Sequence, residues 1–176
     1  MSARRFVVGV SGSAGSLQAL RYATQLARRD EAVLAPVLAW SPPGGDIAEH
    51  RCPNPELRRL WRQAASDRLC EAIELAIGGT PDDIEFSPAI VRGEPGQALT
   101  EVAAEPGDVL VIGAGRRGVL RRLLGCQVSK YCLAHARCPL VAVPPSQLSG
   151  ELHGLHGWVL RHRLQPEKVG PHAAGA

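Results

Sequence analysis

Val109-Leu110-Val111-Ile112 is an uninterrupted apolar run set between Asp108 and Gly113. An alternating strand can wet one of its faces, but this run has nothing polar to show to water on either side, so both faces must be covered. Strands of that kind belong to parallel sheets, and a parallel sheet needs a crossover, usually a helix, between successive strands. The rest of the chain supplies such units. Phe6 to Val10 is a short apolar run ending in Ser11-Gly12-Ser13-Ala14-Gly15-Ser16, after which Leu17, Leu20, Ala23 and Ala27 fall at helical spacing.

A second apolar run, Ala32 to Trp40, stops at the breaker-rich Ser41-Pro42-Pro43-Gly44-Gly45. Pro36 within it has no N–H, so that side of the strand is predicted to face an unpaired or bulged position. From Pro55, a stripe of Leu57, Leu60, Trp61, Ala64, Leu69, Ala72, Ile73 and Ala76 predicts the longest helix, stopped by Gly78-Gly79. Ile84 to Val91 reads as a third strand and Gln97 to Glu105 as a short helix. Beyond the apolar run, a basic loop from Gly113 to Gly125 precedes a helix over Val128 to Ala136. A fifth strand, Pro139 to Val143, is closed by Pro144-Pro145.

The alternation predicts an α/β fold: a doubly wound, five-stranded parallel sheet with right-handed crossovers, flanked by helices. It occupies residues 1–145 as one domain. Residues 146–176 turn to Gly and His, and Leu152, Leu155 and Val159 there can line one helical face. That stretch is read as a C-terminal tail, mobile or holding a weakly docked helix.

At 176 residues the chain is long enough to bury a core without a metal or disulfide staple. Its 20 Lys and Arg against 17 Asp and Glu leave only +3, too little to require nucleic acid as a partner. Five cysteines, an odd number without a CxxC pair, read as thiols in a reducing compartment. Arg4 and Arg5 precede an apolar run that Gly9, Ser11 and Gly12 cut far short of a signal peptide or a membrane span. A cytoplasmic protein without a membrane segment is expected.

In such a sheet, ligands sit beyond the carboxyl ends of the strands where strand order reverses, which points to the loops after the first and fourth strands. Glycines there let backbone N–H groups approach an anion at a helix amino terminus, although the same glycines can serve only tight turns.

The arrangement resembles the universal stress protein (UspA-type) family over residues 4–144. The resemblance is carried by Val7-Val8-Gly9-Val10-Ser11-Gly12-Ser13, by Gly93-Glu94-Pro95, by Val109-Leu110-Val111-Ile112-Gly113, by Val128-Ser129-Lys130-Tyr131 and by Cys138-Pro139-Leu140-Val141-Ala142-Val143. It implies strand order 3-2-1-4-5, a homodimer paired through the fifth strand, and a regulatory or binding module in stress response acting through a protein partner whose identity the sequence leaves open. ATP-binding members carry Gly, two residues, Gly, nine residues, then Gly and Ser/Thr after the fourth strand. Registered on Val128-Ser129, this chain has Gly113 at the first glycine, Arg116 at the second, Cys126 at the third and Gln127 at the hydroxyl position. Sliding the frame to Gly115 and Gly118 leaves only six residues before Gly125, with Cys126 again at the hydroxyl position. The family's Asp at the end of the first strand is replaced by Ser11, whereas Ala39, at the position that packs on adenine, remains compatible with a base. The resemblance therefore implies an adenine nucleotide such as ATP held weakly or not at all by Ser11, Gly12, Ser13, Ala39 and the Gly113 loop.

In place of the missing glycines the loop carries Arg116, Arg117, Arg121 and Arg122, able to grip phosphate or equally to stand as solvated charges. Ser11-Gly12-Ser13-Ala14-Gly15-Ser16 is also similar to the Ser-Gly-Gly-x-Asp-Ser loop of the ATP pyrophosphatases, which implies as an alternative an ATP-consuming enzyme. Ser13 there replaces a glycine and Gly15 replaces the magnesium-serving Asp, so a catalytic role is not expected. His135 is the sole histidine between residues 51 and 152 and reads as a surface or partly packed side chain. Cys126, Cys132 and Cys138 recur every six residues, which scatters them around a helix, and Cys126 at a helix start can have a lowered pKa. His153 and His156 lack a third ligand, so no metal site is expected.

Overall fold

A computed structural model describes residues 4–45, 53–114 and 127–144. The elements are β1 (Arg5–Gly9), α1 (Ala14–Asp30), β2 (Val33–Trp40), α2 (Pro55–Ile77), β3 (Ala89–Arg92), α3 (Pro95–Val102), β4 (Asp108–Gly113), α4 (Gln127–His135) and β5 (Leu140–Val143). The strands form one sheet in the order β3-β2-β1-β4-β5, and every neighbouring pair is parallel. Class, strand count and order are those the alternation and the family resemblance imply.

Successive residues of the central strands go to opposite faces of the sheet. On one side Phe6 and Val8 of β1 join Val111 of β4, Leu34 of β2, Leu20 of α1 and Leu69 of α2. On the other, Val7 joins Leu110 and Ile112, with Val37, Leu99 of α3 and Cys132 of α4. The polar-free run of β4 is thus explained by two cores rather than one. Each such large side chain, taken fully out of water, contributes about 1.5–3 kcal/mol before the entropy of ordering it is set against that.

Of the face expected for α1, Leu20, Ala23 and Ala27 are buried and Leu17 is partly buried against the same core, with Ala19 added to them. Arg28 and Arg29 in its last turn lie where cations suit the helix dipole. In α2, the longest helix among the described residues, the predicted stripe is only half realised. Ala65, Leu69, Ala72 and Ile73 are buried, but Leu57, Leu60 and Ala64 in its first part are exposed. The spacing is helical throughout, yet in the first part only Trp61 reaches the core, partly buried, and it is the second part that lies over the sheet and α1. Asn54 begins this helix, its side-chain oxygen accepting from the N–H of Glu56 and of Leu57.

Strands β1, β2, β4 and β5 match their expected spans to within one residue at each end, and the larger differences lie in β3 and α3. The third strand is Ala89–Arg92 rather than residues 84–91, with a lone bridge from Phe86 to Leu34 preceding it. α3 starts earlier than predicted, with Pro95 in its first turn where a missing N–H loses no bond, and ends at Val102, short of Pro106-Gly107. α4 runs from Gln127 to His135, one residue earlier at each end than predicted.

Pro36 sits where the sheet has a gap. Val10 N–H donates to Val37 O, so the polar groups of Val37 face β1 and those of Pro36 face the β3 side. On that side, pairing breaks between the Leu34–Phe86 bridge and the pair Val37–Ala89. The missing donor therefore falls where no ladder bond is made, as predicted.

At the amino ends of the central strands, Arg5 holds Asp108 in a fork. Nε donates to Oδ1 at 2.8 Å, and Nη2 donates to Oδ2 at 2.9 Å and also to Val102 O at 2.9 Å. The Glu105 N–H adds a bond to Asp108 Oδ2 at 2.9 Å. Burial pushes the Asp108 carboxyl up, but the Arg5 hydrogen bonds, the Glu105 N–H and the Arg5 charge together hold it below its ordinary value.

Candidate functional site

The strand order reverses between β1 and β4: β1 feeds α1 and β2 on one side, β4 leads through α4 to β5 on the other. The crevice at their carboxyl ends is the place this topology reserves for a ligand. It is walled by residues 11–16 and by Gly113 and Ala114.

Residues 11–16 are held by their own hydroxyls. Ser13 begins α1, and its Oγ accepts from Ser16 N–H at 3.3 Å. Ser16, buried, donates through Oγ to Ser13 O at 2.9 Å and accepts from Ser11 N–H at 3.2 Å. Ser11 Oγ donates to Ser16 Oγ at 3.3 Å and stands 3.1 Å from Ser13 Oγ. With Ser16 bonded to a carbonyl and Ser11 to Ser16, the Ser13 proton is the one left to bridge to Ser11. All three hydroxyl protons are then used inside the loop. Gly12 makes the turn possible, at φ 74°, which a side chain would resist.

Gly113 closes the crevice from the β4 side. A Cβ there would stand 2.5 Å from both the carbonyl carbon and oxygen of Gly15, and 3.0 Å from Ser16 N. The end of β4 thus runs directly against the first turn of α1. Ala114 N–H donates to Val143 O at 2.7 Å, which carries the sheet one residue past Gly113. No acid stands in the first turn of α1, so nothing there offsets the partial positive charge of the helix terminus.

Of the residues singled out in the sequence, Ser11, Gly12, Ser13 and Gly113 come together at this crevice. Ala39 lies on β2, paired with Val91 of β3, as far beyond Val37 as Ser11 is beyond Gly9, its strand partner. Gln127 is the first, exposed residue of α4. Gly115, Arg116, Arg117, Gly118, Gly125 and Cys126 lie outside the described residues, as do Arg121, Arg122, His153, His156 and the tail. Two residues of the site went unselected: Gly15, whose backbone Gly113 touches, and Ser16, which ties Ser11 to Ser13. Their signal was present in the repeated small residues of Ser11-Gly12-Ser13-Ala14-Gly15-Ser16.

His135 is exposed and stacked on Tyr131, with ring centroids 4.1 Å apart, and its Nδ1 lies 2.9 Å from Tyr131 O. It is far along α4 from the crevice end of that helix. Among the described residues no group of three His, Cys, Asp or Glu is placed to hold a metal, and no helix is long and apolar enough to cross a membrane. Cys70 and Cys138 carry free thiols.

The model of the Universal stress protein family matches residues 2–144. No curated protein sequence matches the chain. Among solved structures, a universal stress protein in complex with cAMP is 28% identical, with 83% of this chain and 100% of that one covered at a TM-score of 0.52. UspA from Lactobacillus plantarum is 19% identical over 81% of this chain and 99% of its own, with a TM-score of 0.58. A universal stress protein from Archaeoglobus fulgidus is 18% identical over 81% and 99%, with a TM-score of 0.56. With a family match over most of its length, and with the strand order and the crevice that go with it, this chain belongs to the universal stress protein family.

Proposed function

We propose that this protein is a stress-response binding module that takes an adenine nucleotide weakly at the crevice between β1 and β4, and that it works through partners rather than by turning over ATP. The observation that carries this is the closed hydroxyl network of Ser11, Ser13 and Ser16 at the end of β1. Where ATP-binding relatives have a carboxylate, Ser11 offers a shorter, uncharged group whose proton already has an acceptor. Losing a charge-assisted partner removes roughly 1.5–3 kcal/mol. In the phosphate loop, Arg116 and Cys126 bring Cβ atoms to positions where the family has glycine, and ordering Gln127 in place of a hydroxyl opposes binding by up to about 2 kcal/mol. Two or three such losses move a micromolar dissociation constant toward millimolar, since about 1.4 kcal/mol is tenfold.

Binding is supported by the 28% identical structure solved with cAMP, by the unopposed amino terminus of α1 and by Ala39, small enough to lie under a base. Against the pyrophosphatase alternative, the first turn of α1 has no acid to serve magnesium. Arg116, Arg117, Arg121 and Arg122 would hold phosphate chiefly by charge. A homodimer through β5 fits an edge strand with Leu140 and Val141 half-buried. The free thiols of Cys70 and Cys138 fit a reducing, cytoplasmic setting.

Calorimetric titration of the full chain with ATP, AMP and cAMP at low and high salt tests the nucleotide reading. Weak affinity, little dependence on the base, and loss of binding with salt are expected. A low-micromolar, base-selective and salt-insensitive ATP complex would overturn it.

A further inference from the structure

Two adjoining hollows run along α2 at the β3 margin of the sheet, away from the crevice. One, of about 310 Å3, is walled by Leu69, Ile73, Phe86, Pro88 and Ile90, with Cys70 on its side and Glu74 also lining it. The other, of about 400 Å3, shares Ser66 and Ile90 with the first and is bordered by Arg59 and Arg62. At about 1.5 Å per residue, the helix sets Arg59 about 22 Å along its axis from Glu74. The result is a furrow that is cationic at one end, apolar in the middle and anionic at the other.

The two arginines stand apart from others in this protein. Arg4, Arg5, Arg28 and Arg29 are all ion-paired, and Arg21 bonds the carbonyls of Leu75 and Ala76. The guanidinium groups of Arg59 and Arg62 have no ion pair or hydrogen bond among the described residues. An added β-strand is a poor occupant of this margin. Ser87 N–H and Gly93 N–H both point to β2, which leaves alternate residues, Pro88 among them, facing outward, and Pro88 has no donor to give. A chain without a peptide backbone meets no such shortfall.

We propose that this furrow binds a linear anionic amphiphile of the fatty-acid type. Its carboxylate lies on Arg59 and Arg62, and its alkyl chain runs over Ile90, Leu69 and Ile73 toward Phe86. Glu74 fixes the direction, because an anionic head at that end would meet a like charge. The arginine forks match a carboxylate in shape as well as charge, and the hollows are of the size that takes small ligands.

Cys70 provides the readout. The rate at which iodoacetamide alkylates it in the full chain, located by peptide mass mapping, is measured with decanoate below its micelle concentration. Saturable protection at one equivalent is expected, with decyltrimethylammonium, of the same chain length and opposite charge, at least about tenfold less effective. Arg59→Gln with Arg62→Gln changes only exposed side chains and should leave the melting temperature unaltered while weakening decanoate about tenfold. Ser66→Trp, which fills the junction of the two hollows, should abolish protection by either probe. The proposal is overturned by absence of saturable protection, by equal protection from the cation, by unchanged protection in the arginine double variant, or by protection that accompanies a doubling of mass in light scattering, which would make a second copy the occupant.

Discussion

Gly113 and Gly15 are in backbone contact: a Cβ on Gly113 would lie 2.5 Å from the carbonyl carbon and oxygen of Gly15. Neither atom belongs to a flexible side chain, so relief requires α1 to move away from β4. Gly113→Ala is expected to destabilise the protein by about 2 kcal/mol, within the range for overpacked sites. For a chain of this size that is a fall in Tm of about 4–8 °C. An unchanged thermal midpoint would mean that the two elements separate without strain.

The pair formed by Arg5 and Asp108 sets a pH dependence. The folded Asp108 carboxyl lies below its ordinary value of 3.8, so on acidification the unfolded chain takes up a proton first. Its contribution is therefore complete at neutral pH and is lost as pH falls below the ordinary value and through the folded one. Asp108→Asn should lower stability at neutral pH by roughly 3 kcal/mol, by leaving a partly buried guanidinium with only the exposed Glu105 carboxylate, 3.7 Å away, as counter-charge. It should also flatten the acid limb. Urea midpoints measured at neutral pH and near about pH 3 test both parts; an equal gap between parent and variant at both values contradicts the assignment.

Ser11→Asp places a carboxylate at the end of β1 beside the hydroxyls of Ser13 and Ser16. Adenosine isolates that position from the arginine-rich loop, because it has no phosphate. Its affinity is expected to rise about tenfold in the variant, the scale of one charge-assisted hydrogen bond. If calorimetry finds no gain for adenosine, Ser11 is not where nucleotide affinity is lost.

The outward face of β5 separates dimerisation from folding. Pro139 O and Val143 O accept from β4 and Ala114, so their residues face inward, whereas the polar groups of Ala142 face away from the sheet. Ala142→Pro removes one outward donor and no ladder bond within the chain. Circular dichroism should remain that of the parent while light scattering reports a monomer. A variant that remains dimeric would move the interface off this strand.

How much of this could be read from residues alone varies with the kind of signal. Val109 to Ile112 revealed a doubly covered strand because its pattern leaves no alternative, and Pro36 located a gap in a ladder because a missing donor has only a few tolerable places. Leu57 and Leu60 misled, since helical spacing records that a face exists and not whether anything covers it. The third strand is shorter than the sequence suggests for a related reason: Ile84 and Phe86 alternate as in a strand, but Pro36 of β2 has no N–H to offer this segment, and pairing lapses between the Leu34–Phe86 bridge and the pair Val37–Ala89. At the site, the turn glycines were legible as a group, while the contact of Gly113 with Gly15 joins residues about a hundred positions apart and leaves no local trace. Ser16 looked like any polar residue at a helix start until its burial made it the hub of the loop.

Pro36 also determines the order in which the sheet comes apart. Interrupted pairing between β2 and the segment leading to β3 makes a seam, with β1, β2, β4 and β5 on one side and β3 with its approach on the other. A seam is where a cooperative structure divides into units of unequal protection. In hydrogen–deuterium exchange, the amides of Val91 and Gly93 should therefore be lost early and together, while those of Val7 and Val111 persist until the whole domain opens. The β3 margin can then loosen and re-form while the crevice between β1 and β4 stays closed.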